Sequence, residues 1–96
     1  MRIDGFWRTR DVLVDGRPLQ PEPSQRLWNH SPEGFNWGYG GSGPAQLALA
    51  LLLQAGLEPD RAVALHQSFK CDHVATWPQD DIVVDIDIVA WVARQT

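Results

Sequence analysis

The chain predicts an α+β fold: a small antiparallel sheet of short strands packed on a central apolar helix (about 44–55), with two further helices (about 59–76 and 86–95). Three observations carry that expectation. Residues 44–55 are apolar on nearly every side of a helix, which is the pattern of a helix inside a fold rather than on its surface. Residues 59–77 place apolar groups at helical spacing. The first fourteen residues and Ile82–Val84 instead carry β-branched and aromatic residues in short runs bounded by turn formers. At 96 residues the chain reads as a single domain, 1–96, able to bury a core without disulfide or metal.

Residues 2–8 and 12–14 are the first two expected strands, built on Phe6 and Trp7 and on Val12, Leu13 and Val14. Asp15-Gly16 is a strong turn signal before Arg17-Pro18-Leu19. Residues 20–34 carry Pro21, Pro23, Pro32 and Gly34 and read as an irregular loop, with Leu27 and Trp28 pinning it to the core. In the central helix Pro44 suits the first helical position, where its missing N–H costs nothing. Gly43 or Ser42 is the expected N-cap, and Gly56 terminates the helix. Only Gln46 and Gln54 interrupt its apolar surface. Each buried leucine is worth roughly 1.5–3 kcal/mol, so this helix is expected to dominate stability.

Pro59 opens the next helix, with Asp60 in its first turn, favourable to the helix dipole. Ala62, Leu65, His66, Phe69 and His73 form one stripe that continues to Val74 and Trp77, and Pro78 ends it. Ile82, Val83 and Val84 read as a strand. Asp85 is the expected N-cap of a last helix, with Ile88, Val89, Trp91 and Val92 on its buried side.

Net charge is −4 but uneven. Residues 1–28 hold five arginines against four acids, whereas residues 71–96 hold five aspartates against Arg94. Asp80, Asp81, Asp85 and Asp87 concentrate the negative charge. A duplex-binding domain carries a basic patch, so direct nucleic-acid binding is not expected. A basic protein partner, or simple solvation of the face, suits this pattern. The single Cys71 excludes an internal disulfide and fits a reducing compartment. The N-terminus lacks the apolar core of a signal peptide. The longest apolar run, residues 47–53, is far shorter than a membrane span. These features lead to an expected cytoplasmic location, with no membrane association.

Gly38-Tyr39-Gly40-Gly41-Ser42-Gly43 matches the letters GxGxxG and opens a helix. The dinucleotide fingerprint also needs a preceding buried strand and a second parallel strand ending in an acid, and neither is present. No lysine follows the glycines, which excludes a Walker loop. What remains is a tight turn packed against aromatic rings, or a local phosphate or nucleotide site at Gly40, Gly41, Ser42 and Gly43, where helix N–H groups are free. His66, Cys71 and His73 lack the spacing of a zinc site. No hydroxyl sits in a nucleophile elbow, and the paired aspartates lack an environment that would tune them for acid–base work. No enzyme activity, metal or cofactor is therefore expected.

Residues 31–50, SPEGFNWGYGGSGPAQLALA, closely resemble the hallmark SPxGFxWGYGGSGPAQLALA of an uncharacterised family of short proteins, a domain of unknown function. Ser31, Pro32, Gly34, Phe35, Trp37 and the run from Gly38 to Gln46 all fit. Weaker similarity covers VDGRPL at 14–19, LHQSFK at 65–70 and the ending at 82–92. The resemblance implies no assigned activity. It implies a bacterial, phage, plasmid or integrated-element setting, where small acidic proteins often inhibit host defence, anti-CRISPR proteins among them. The expected function is thus a non-enzymatic binding protein of a mobile element. It would act on a host protein or nucleoprotein complex with a basic surface, as a monomer or small homo-oligomer. Asp80, Asp81, Asp85 and Asp87 would supply the acidic face, and Trp77 or Trp7 the desolvated anchor.

Overall fold

A computed structural model describes residues 1–95. The strands are β1 (Arg2–Phe6), β2 (Asp11–Val14), β3 (Arg17–Pro18) and β4 (Ile82–Asp85), in the sheet order β3-β2-β1-β4, with every pair antiparallel. The helices are α1 (Glu22–Leu27), α2 (Ser42–Gln54), α3 (Pro59–Asp72) and α4 (Ile88–Ala93). The α+β architecture is the one the sequence predicts.

Asp15 and Gly16 both take positive φ, 50° and 82°, as a two-residue hairpin turn that matches strand twist requires. The Asp15 carboxylate also accepts the Arg2 N–H. β1 stops at Phe6 rather than residue 8, because the chain turns back through Trp7–Arg10, with the Arg10 N–H donating to the Phe6 carbonyl. β4 closes the other side of β1, pairing Ile3 with Val84 and Gly5 with Ile82. On the inner face Ile3, Val12, Val14 and Ile82 join a single core with the leucines of α2. Gly5 is required there: a Cβ would lie 2.7 Å from Ile82 Cγ1 and 2.9 Å from the Trp37 ring.

Every residue from Gly43 to Leu52 is buried, so α2 is the central helix. It begins earlier than expected, with Gly41 as the N-cap, and Pro44 is its third residue. That position still tolerates proline, since the first four N–H groups have no intrahelical acceptor. At the other end Gly56 takes φ +97°. The Leu57 N–H donates to the Leu52 carbonyl and the Gly56 N–H to that of Leu53, which is the Schellman closure.

Three further expected boundaries change. The stretch 20–34 contains α1: Pro21 and Pro23 sit at its N-terminal turn, where proline initiates rather than breaks a helix. Leu27 and Trp28 do not pin this segment, being 41% and 49% exposed; buried Ser24 and Gln46 do. α3 ends at Asp72, and Val74–Thr76 forms a 3₁₀ turn. There the Gly38 N–H captures the Val74 carbonyl and Thr76 Oγ1 donates to the His73 carbonyl. This break buries Val74 and Trp77 together with Phe69. Finally, Asp85 ends β4, and the N-cap of α4 is Asp87, whose carboxylate accepts the Ala90 N–H at 2.9 Å.

Candidate functional site

The four aspartates of the expected acidic face lie on and around β4, and the fold gives each a local contact. Asp81 Oδ1 accepts the Trp7 N–H at 2.7 Å, joining the β1–β2 connection to the approach of β4. Asp80 Oδ1 accepts the Asp81 N–H, while the Asp80 carbonyl accepts the Trp37 indole N–H at 3.0 Å. Asp87 caps α4. Asp85 lies 3.4 Å from the Met1 amino group with 85% of its side chain exposed. No lysine or arginine side chain pairs with any of the four among the described residues. Between them Val83 stands 68% exposed on the outer sheet face.

The proposed tryptophan anchors are placed differently. Trp77 is 8% exposed and belongs to the core, so it is no surface anchor. Trp7 is held edge-on against Trp37, with the Arg10 guanidinium 3.5 Å above its ring. It is therefore built into the fold as a partly covered aromatic stack.

At the N-terminus of α2, the glycines serve contact more than a ligand. A Cβ on Gly41 would lie 2.4 Å from the Tyr39 ring, and one on Gly43 would lie 2.5 Å from Asn36 Cβ. Only Gly40 faces open space. Ring packing is thus found at Gly41, whereas Gly43 abuts Asn36. Arg8, Arg10, Ser42 and Gly43 line one polar groove, but Arg10 Nε already donates to Asn36 Oδ1. Lys70 Nζ donates to the Gly40 carbonyl, closing the loop over α3.

A second polar cluster was only partly legible in the sequence. Gln46, wholly buried in α2, accepts the His30 and Ser31 N–H groups through Oε1 at 2.7 and 3.0 Å. Its Nε2 donates to Ser24 Oγ and to the Trp28 carbonyl. One amide therefore ties the start of the α1–α2 connection, Trp28 to Ser31, to α2. Above it, His30 Nε2 and His66 Nε2 are 2.9 Å apart, and Trp28 stacks on the His30 ring. His66 Nδ1 lies 2.6 Å from the Val63 carbonyl. A carbonyl only accepts, so Nδ1 carries the proton and Nε2 receives the His30 N–H. Burial lowers both ring pKa values; the neighbouring His66 adds to this at His30 and Lys70 at both, while the Val63 bond partly opposes it at His66. The clue in the sequence was Gln46 itself, an isolated amide in an apolar helix.

Two imidazoles are too few for a closed metal site. Among the described residues no group of three or more His, Cys, Asp or Glu is placed to hold a metal ion. Cys71 is exposed. No described helix is long and apolar enough to cross a membrane.

No curated protein matches the chain. No solved structure matches it. A family model does, over residues 5–94, from β1 through α4. The chain belongs to that family, the family of unknown function DUF6166.

Proposed function

We propose that this protein is a non-enzymatic binding module whose segment 80–87 engages a basic protein surface. The observation that carries the reading is the set of four carboxylates at Asp80, Asp81, Asp85 and Asp87, unpaired with lysine or arginine among the described residues and flanking exposed Val83. A carboxylate engaged by one N–H keeps lone pairs for a cation. Complementary charge of this kind sets association rate and partner choice. In the setting implied by the sequence resemblance, the partner is a host nucleoprotein complex of a defence system. Its lysines and arginines normally meet phosphate, and an acidic segment competes for them.

The test replaces all four aspartates with asparagine, which keeps the hydrogen bonds and removes the charge. Proteins captured from the host by the tagged wild type are expected to be lost with the variant and released by raised salt. Equal capture by both, insensitive to salt, would sink the reading. Thermal stabilisation by phosphate or a nucleotide would instead support an anion site at Gly40, Gly41, Ser42 and Gly43.

A further inference from the structure

The register of β4 fixes which of its main-chain groups face outward. Met1 and Ile86 exchange both backbone hydrogen bonds, at 3.1 and 2.9 Å. Pairs alternate along an antiparallel ladder, so Ile82 and Val84 direct their N–H and C=O groups to β1, while Val83 and Asp85 direct theirs away from the sheet. Among the described residues those outward groups have no hydrogen-bond partner. β4 is also an edge strand without proline or bulge, reading Ile-Val-Val-Asp. The opposite edge, β3, is two residues long and contains Pro18, which blunts it.

We propose that the free edge of β4 receives an extended, lysine- or arginine-bearing segment of a partner protein as a fifth strand. Main-chain bonds to Val83 and Asp85 would supply the pairing, as in strand addition generally. Alternate side chains of the incoming strand then point to opposite faces. On the inner side they meet a groove of about 360 Å³ beside Val84 and Ile86, walled by Trp77 and Trp91 and edged by Asp85, Asp87 and Arg94. A side chain that lays an apolar stem on the tryptophans fits there. On the outer side they run past Val83 and Asp85, where a lysine stem covers the valine and its charge meets the carboxylate. The same charges disfavour a second copy of this chain as the occupant. Antiparallel β4–β4 pairing would set the aspartates at each end of one strand beside those of the other, and like charges placed opposite are destabilising.

This inference rests on the acidic-partner reading above and adds backbone pairing to it. The probe is an alternating lysine–valine octapeptide. Two controls accompany it: a block octapeptide of the same composition, and the alternating peptide N-methylated at every second residue. By heteronuclear NMR titration, the alternating peptide is expected to shift and protect the Val83 and Asp85 amides. It should bind about tenfold or more tightly than either control. Val83→Pro removes an outward N–H that the β1 ladder does not use, and should weaken binding about as much as N-methylation. Val83→Thr, which keeps the N–H, should bind within about threefold of wild type. Should Val83→Pro fail to fold, the N-methylated peptide asks the same question of the wild-type protein. Block and alternating peptides binding equally would overturn strand addition while leaving the charge reading intact. Absence of binding by all three would overturn both.

Discussion

Gln46 and Val83 stand at opposite extremes of hydrogen-bond satisfaction. Around Gln46 every polar group is turned inward and paired: its amide makes four hydrogen bonds, and Ser24 and the His30–His66 pair complete the cluster. No buried side-chain nitrogen or oxygen lacks a partner among the described residues. Around Val83 the arrangement reverses, with main-chain groups and carboxylates facing solvent. The difference separates architecture from readiness to bind. A satisfied buried network rigidifies and specifies a fold, whereas an unpaired strand edge is a template for another chain.

That contrast can be broken first at Gln46. Gln46→Leu leaves the Ser31 N–H without a partner, reduces the His30 N–H and the Trp28 carbonyl to their mutual 3.1 Å bond, and should cost about 3 kcal/mol. Urea denaturation would show it as a lower midpoint at unchanged slope; a loss below about 1 kcal/mol would mean the connection holds without the amide. Gly5→Ala comes next, at about 2 kcal/mol, because its Cβ would press on Ile82 and Trp37 in the central strand. If the variant is as stable as wild type, the core is looser than these distances indicate.

Around β4 smaller effects are expected, and they divide the aspartates. Asp87→Ala removes the α4 cap and should cost about 1 kcal/mol. Asp85→Ala, at an exposed position, should leave the melting temperature unchanged. Equal losses at both positions would make Asp85 as structural as Asp87. A small effect is also expected with pH. His30, His66 and His73 all titrate below their ordinary 6.5 in the folded protein, desolvation being the largest cause. The unfolded chain then binds more protons than the native one as pH falls from about 7 to 5.5. Their stability contribution is complete above about 6.5 and is lost as pH falls through the lowered values. A urea midpoint that rises on acidification over that range would contradict this.

Much of the fold was legible because it rests on local rules. The Asp15-Gly16 turn, the Gly56 stop, the start of α3 at Pro59 and the all-apolar α2 each follow from one residue type in one conformation. Three of the misread boundaries have a common cause, since each depends on a partner distant in sequence. α1 is held through its Ser24, whose hydroxyl accepts the amide N–H of Gln46 in α2. α3 ends where Gly38 takes the Val74 carbonyl. β4 extends to Asp85 because β1 is there to pair with it. Trp77 illustrates the same point for the site: its composition marks an anchor, and only packing shows it spent on the core.

By itself the sequence determined the fold class, the central helix, the concentration of negative charge at residues 80–87 and the membership of a family implied by residues 31–50. Periodicity, turn chemistry and charge are properties of neighbouring residues, so they can be read along the chain. Tertiary structure alone decided that His30 meets His66, that Gln46 ties three segments together, and that β4 sits at the edge of the sheet rather than inside it. These depend on which distant segments come together, and hydrogen-bond pairing between them is set by the packed arrangement rather than by any local preference.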